Sequence, residues 1–166
     1  MIILGIDPGY AIVGIGVIRY ENGKIKPLEY DAITTHASQA TSLRLKIIQE
    51  DINAYLDKYT PDAVAIEELF FNNNQKTAIA VAQARGVLVA QAAVRNIPIY
   101  EYTPLQIKQS ITGYGRADKN QIQQMVKLML NLKQIPKPDD AADALAVAIC
   151  HANSSHANDI LGTNRL

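Results

Sequence analysis

Ile2-Ile3-Leu4-Gly5-Ile6-Asp7-Pro8-Gly9 is the stretch on which the reading of this chain turns. A short apolar run closed by Asp-Pro-Gly is a buried strand running into a turn. Pro8 holds Asp7 in extended geometry, and Gly9 lets the chain turn sharply. Asp7 is therefore expected at the carboxyl end of a central strand, where open α/β sheets bind their ligands. A carboxylate there is costly to desolvate without a partner. The plainer reading is a turn aspartate that caps nearby backbone amides. The sharper reading is a metal ligand, and it requires more carboxylates to converge from elsewhere.

Outward from this stretch, residues 12–20 are β-rich, with Gly14 and Gly16 allowing close approach. Asn22-Gly23 is a hairpin signal, and residues 24–35 read as a third strand with Pro27 marking an edge or an irregular start. Three strands in an antiparallel meander are predicted. Residues 41–59 carry helical apolar spacing through Leu43, Ile47, Ile48, Ile52, Leu56 and Tyr59, with Thr41 or Ser42 as the cap. Thr60-Pro61-Asp62 ends that helix. Residues 63–66 form a buried strand leading into Glu67-Glu68, the second strand with acids at its carboxyl end. The helix over 75–95 is apolar around its circumference, which predicts burial on more than one side. Residues 97–102 form a fifth strand, and Thr103-Pro104 starts a short helix. A loop at Gly113-Tyr114-Gly115-Arg116 leads to a helix from Asp118, and a last helix opens at Asp139. The order is that of an α/β chain with a five-stranded mixed sheet flanked by helices, and it resembles the ribonuclease H-like fold. In that fold Asp7 and Glu67 end neighbouring parallel strands.

Composition bounds the function without choosing it. The chain has 166 residues, 48% apolar and 19% charged, with 16 Lys+Arg balancing 16 Asp+Glu. The charge is unevenly spread: residues 101–137 hold six Lys/Arg against two acids, and residues 138–166 hold one against four. A basic patch beside an acidic pocket suits an anionic substrate that meets metal-binding carboxylates. The single cysteine, Cys150, lies in an apolar run and reads as a core residue in a reducing compartment. No signal peptide is evident. Gln83, Arg85 and Gln91 interrupt the best membrane-spanning candidate, so the chain is expected to be cytoplasmic, with no membrane partner.

The last helix supplies the missing acids. Asp140 and Asp143 share a helix face, and so do Asp139 and Asp143, so spacing does not choose between the pairs. Asp139 also reads as an N-cap after Pro138. Asp143 lies a turn further in, among Ala141, Ala142, Ala144 and Ala146, whose small side chains allow something to approach. Like charges on one face repel, and a divalent cation relieves that repulsion. Oxygen ligands without His or Cys suit Mg²⁺ or Mn²⁺. His36, His151 and His156 read as structural or surface residues. Acids gathered around two divalent ions point to phosphoryl transfer.

Five blocks carry a more specific signal: Ile-Leu-Gly-Ile-Asp-Pro-Gly at 3–9, Ala-Ile-Glu-Glu-Leu-Phe at 65–70, Gln-Ala-Arg-Gly at 83–86, Glu-Tyr-Thr-Pro-Leu-Gln-Ile-Lys-Gln at 101–109 and Asp-Ala-Ala-Asp-Ala-Leu-Ala at 140–146. In order, and to about residue 151, they resemble the bacterial RuvC Holliday-junction resolvases. The resemblance implies a ribonuclease H-like nuclease domain over 1–152 and a polar tail over 153–166. It implies catalytic, metal-holding roles for Asp7, Glu67, Asp140 and Asp143, so that Glu67 is chosen over Glu68 and Asp140 over Asp139. Two Mg²⁺ per site follow, with Mn²⁺ as a substitute. Phe70 is the implied junction-contacting aromatic, and Lys108 and Lys119, helped by Arg116, the DNA contacts. The tail lacks the basic character of some members. The implied activity is resolution of four-way DNA junctions by paired nicks, in a homodimer working with a branch-migration helicase complex. The rivals are a related nuclease acting on RNA, an actin-like ATPase, which normally needs two such domains, and a catalytically silent junction binder.

Overall fold

The computed structural model of the protein describes residues 1–69 and 75–161. Five strands form one sheet: β1 (Ile2–Asp7), β2 (Ile12–Glu21), β3 (Lys24–Thr34), β4 (Ala63–Glu67) and β5 (Ile99–Tyr102), in the order β3-β2-β1-β4-β5. The first three pair antiparallel, and β1–β4 and β4–β5 pair parallel. The helices are α1 (Thr41–Tyr59), α2 (Gln75–Val94), α3 (Pro104–Thr112), α4 (Lys119–Met129) and α5 (Asp139–Leu161). The expected meander and the parallel placement of β1 beside β4 are both present. Pro27 lies on the edge strand β3, where the register shifts opposite Val17/Ile18. An edge tolerates a residue that cannot donate to the ladder.

The two faces of the sheet are filled differently. Ile48, Ile52 and Leu56 of α1 and Ala84, Leu88 and Ala92 of α2 cover Leu4, Ile6, Val13, Ile15, Val17 and Ile66. On the other face α5 lies directly on the strands. A Cβ added at Gly5 would stand 2.8 Å from Ala148 Cβ, and one at Gly16 would stand 2.7 Å from Leu145 N. Ala141, Ala142, Ala144, Ala146 and Ala148 are all fully buried there. What approaches the alanines of α5 is thus the sheet itself, through its glycines. Side chains this small let two backbones meet with no spacer between them.

Several expectations are corrected. The cap of α1 is Ala40, which makes no side-chain cap bond, so neither Thr41 nor Ser42 serves. Helix α2 is not buried all round: Ala84, Leu88 and Ala92 form its buried stripe, while Ile79 and Val94 are 66% and 75% exposed. Alanine and valine also outweigh Gln83, Arg85 and Gln91, so Thr77–Val94 is long and apolar enough to cross a membrane by length and composition, with a mean hydropathy of 1.4. Only 17% of that stretch is buried within the chain. Strand β5 begins at Ile99, two residues later than expected. Helix α5 runs on to Leu161, past the polar boundary at 153, where Asn153 Nδ2 donates to Ser110 Oγ at 3.1 Å and ties the helix to α3. Thr103 and Asp118, where the sequence starts helices, are the N-caps of α3 and α4, each in a reciprocal capping box, with Gln106 and Gln121 respectively.

Candidate active site

The site is built from three chain segments that end or begin at one place. Asp7 is the last residue of β1 and Glu67 the last of β4. Ile6 pairs with Ile66 in the parallel register, so the two acids leave the sheet side by side. Gly14, the register partner of Asp7 on β2, determines how near the third segment comes. A Cβ on Gly14 would stand 2.6 Å from the carbonyl carbon of Asp140 and 3.1 Å from Asp7 Cβ. The absence of that one methyl brings the first turn of α5, with Asp140 and Asp143, over Asp7. The acids at this amino end also lie favourably in the field of the helix.

The electrostatics record the crowding. Desolvation, then the charges of Glu67, Asp143 and Asp140, push the Asp7 carboxyl from 3.8 up to about 8. Desolvation and the Asp143 charge raise Glu67 as well, partly offset by a hydrogen bond with Asp7. Asp143 is raised by desolvation, against the pull of Lys119. At neutral pH the metal-free cluster therefore keeps a proton on Asp7. Among the described residues, no three Asp, Glu, His or Cys side chains are gathered closely enough to hold a cation as they stand. The donor set is nonetheless all carboxylate oxygen and short of positive charge, which fits a hard divalent cation that draws the acids together.

Lys119 supplies part of that missing charge. Its Nζ lies 3.1 Å from Asp143 Oδ2 and 3.8 Å from Asp139 Oδ2. The position is built locally: the capping box of Asp118 and Gln121 fixes the start of α4, and Lys119 is its first residue. Its ammonium is held charged by Asp143, Asp139 and Asp140, even though desolvation works the other way. Asp139 does not cap α5, as the sequence suggested. It is the first residue inside the helix, and its carboxylate takes Lys137 Nζ at 2.6 Å. That interaction pulls its pKa below the usual range.

Lys108 and Lys119 line a cavity of about 170 Å³ together with Glu67, Asp143, Pro104 and Ile107. Two of the expected DNA contacts thus meet two of the acids. Arg116 is exposed in the loop between α3 and α4 and does not line this cavity. Phe70 lies outside the described residues. A larger cavity of about 350 Å³ lies elsewhere, against β3 and α1, and its Glu29, Asp31 and Asp51 make it a poor seat for a polyanion. His151 is structural: it is 3% exposed, Tyr102 Oη lies 2.8 Å from its Nδ1, and burial lowers its pKa to about 4. Cys150 is a free, buried thiol that burial pushes up to about 11.

Sequence reasoning missed the ion pairing of Lys119 with the acids, and nothing in its spacing announced it. It read Gly14 and Gly16 as places of close approach, which they are, but did not say that the segment approaching is α5, with its first turn at Gly14. A signal was present there, since two glycines in one strand facing an alanine-rich helix mark close backbone approach.

Known proteins are similar to this chain in sequence and fold. The family model for "Crossover junction endodeoxyribonuclease RuvC" matches residues 3–151. The protein of that name from Ruminiclostridium cellulolyticum is 58% identical over 165 residues, covering 99% of each chain. The solved structure of Thermus thermophilus RuvC superposes with a TM-score of 0.90 at 34% identity over the whole of both chains. The structure of T. thermophilus RuvC in complex with Holliday junction substrate gives 0.89 at 31%, again over both chains. The chain belongs to the RuvC family of crossover junction endodeoxyribonucleases.

Proposed function

We propose that this crossover junction endodeoxyribonuclease hydrolyses phosphodiesters with Asp7, Glu67, Asp140 and Asp143 as its cation-holding carboxylates. The observation that carries the assignment is the pairing of β1 with β4 beneath the first turn of α5. These carboxylates would hold a pair of Mg²⁺ ions, or Mn²⁺ in their place, which would supply Lewis acidity to the scissile phosphate. Asp7 would have to be ionised to serve as one of the ligands. Lys119 must leave Asp143, and it then faces the substrate phosphates beside Lys108. Water adds to phosphorus in line and gives up its proton; the bond to the 3′ oxygen breaks, and that oxygen takes a proton from solvent. The products are a 5′-phosphate and a 3′-hydroxyl.

The substrate is a four-way DNA junction, cut by paired symmetric nicks. One chain offers one carboxylate set, so two nicks need a homodimer. The exposed apolar face of α2, with Ile79 and Val94, supports α2 as the interface. Arg116 adds a phosphate contact. For Phe70 the support is the family resemblance alone, with a stacking role at the crossover. We assign residues 1–152 to the nuclease unit, with the polar stretch over 153–166 continuing α5 as far as Leu161, in a cytoplasmic protein that acts with a branch-migration helicase complex. One gel tests the core of this reading: a synthetic four-way junction, an intact duplex and a structured RNA, each with and without Mg²⁺. Symmetric, ligatable nicks in the junction alone are expected. Equal cutting of the RNA would replace this reading with the ribonuclease one.

A further inference from the structure

Arg44 is 8% exposed and has no carboxylate partner among the described residues. Its Nε donates to Thr35 Oγ1 at 2.8 Å, its Nη2 donates to the Tyr10 carbonyl at 3.3 Å, and its guanidinium lies 3.6 Å over the Tyr10 ring. Nη1 makes no hydrogen bond to the described residues, yet it is not sealed from solvent as the unpartnered Nε of Arg85 is. A guanidinium drawn this far out of water, with neutral partners only, keeps an unspent positive charge and an open pair of donors. The same corner holds a second anion-seeking feature. Helix α1 starts at Ala40 without a side-chain cap, and its first turn contains no acid. Its leading amides therefore have no side-chain acceptor, and their dipole is uncompensated. Every part of this corner is at the carboxylate end of the sheet. Tyr10 follows the Asp7-Pro8-Gly9 turn, Thr35 follows β3, and Thr35 Oγ1 donates to the Tyr10 carbonyl at 2.7 Å.

We propose that Arg44 and the uncapped amino end of α1 form a subsite for a DNA backbone phosphate, on the opposite flank of the carboxylates from Lys108 and Lys119. The proposal rests on the junction-cutting reading and deepens it. It gives the strand being cut a hold on each side of the reacting phosphate, which positions that phosphate over Asp7. Arg suits the task better than Lys because its fork is already oriented by Thr35 and Tyr10.

The test uses the full chain and a synthetic four-way junction in Ca²⁺, with binding followed from low to high salt. Arg44→Gln removes the charge and keeps an amide donor. The log–log salt slope should become shallower by about 0.9 per subunit, the value for one phosphate that the protein no longer neutralises. A folded Arg44→Gln with the wild-type slope overturns the subsite. A wild-type chain that does not bind the junction overturns the parent reading, and this proposal with it. Should Arg44→Gln fail to fold, the wild type still answers. Its Arg44 Nε–Hε resonance, assigned by its disappearance in Arg44→Lys, should shift as junction is added. A resonance that stays put at saturation reduces Arg44 to a brace for the Tyr10 loop.

Discussion

The two faces of the sheet solve opposite problems. On the α1/α2 face, branched side chains such as Ile48, Ile52, Leu56 and Leu88 interdigitate with Ile6, Ile15 and Ile66. Such a face can exchange or lose a methyl and settle again. On the α5 face, glycine meets alanine and backbone meets backbone, so no rotamer is free to absorb an error. The first face holds the protein together; the second also sets where the carboxylates stand. Precision here comes from small side chains, because what has to be placed is a helix backbone and not a single group.

The largest effect should come from breaking the second face. Gly14→Ala puts a methyl against the Asp140 backbone, which cannot move without moving α5. We expect a loss of about 3 kcal/mol or more in urea unfolding and the loss of junction cutting. Ile52→Val on the first face is the counterpart. It should cost about 1 kcal/mol and leave cutting unchanged. Equal damage from the two would erase the distinction.

The carboxylates themselves come next. Asp7→Asn, Glu67→Gln, Asp140→Asn and Asp143→Asn should each abolish cutting and keep junction binding. Any one that cuts at the wild-type rate leaves the proposed set. Asp7→Asn should also raise the melting temperature of the metal-free chain at pH 7.5. The sign follows from the folded pKa of about 8, which lies above the ordinary 3.8. The folded state holds the extra proton, so the stability it brings is complete below about pH 4 and lost as pH rises through about 8. Melting curves from pH 5 to 9 should show this decline in the wild type and much less of it in Asp7→Asn. Mn²⁺ binding at pH 7 should correspondingly release protons, seen by calorimetry in buffers of different ionisation heat.

Smaller effects lie at the rims of the two faces. Ile79→Asp with Val94→Asp, on the exposed side of α2, should leave the monomer folded and weaken self-association in sedimentation equilibrium. Unchanged mass would return that face to solvent. The Lys108→Ala, Lys119→Ala double variant should flatten the salt slope of junction binding by about two units per subunit at most. A fall nearer one unit would mean that Lys119 stays with Asp143 in the complex.

Much of this could be read from residue order. Asp7, Glu67, Asp140 and Asp143 stand where strand ends and helix starts predicted, because Pro8 follows Asp7, Pro61 marks the approach to the strand that Glu67 ends, and Pro138 precedes the helix of the other two. The α3 and α4 caps were legible for the same reason: capping chemistry is local. The cap of α1 was misread because Thr41 and Ser42 look as good as any cap, and only the path of the preceding loop decides. Helix α2 was misread because alanine is apolar by any scale yet needs no burial. The pairing of Lys119 with Asp143 was invisible, since it depends on how α4 meets α5 across a loop and two prolines. Arg44 went unread, because the apolar periodicity of α1 says nothing about which charge between its apolar positions is buried.

The glycines of β1 and β2 also carry a consequence for the order of synthesis. On the ribosome, β1 emerges well before α5, the helix that seals its bare face. Until then β1 and β2 present an uncovered apolar surface, and the acids of β1 and β4 have no counterpart from α5. A nascent or truncated chain can thus build most of its sheet and still be unable to assemble the cluster. On the proposed assignment the nuclease is armed by α5, so a copy that lacks it is an exposed sheet for quality control to find and not a stray blade among the chromosomes.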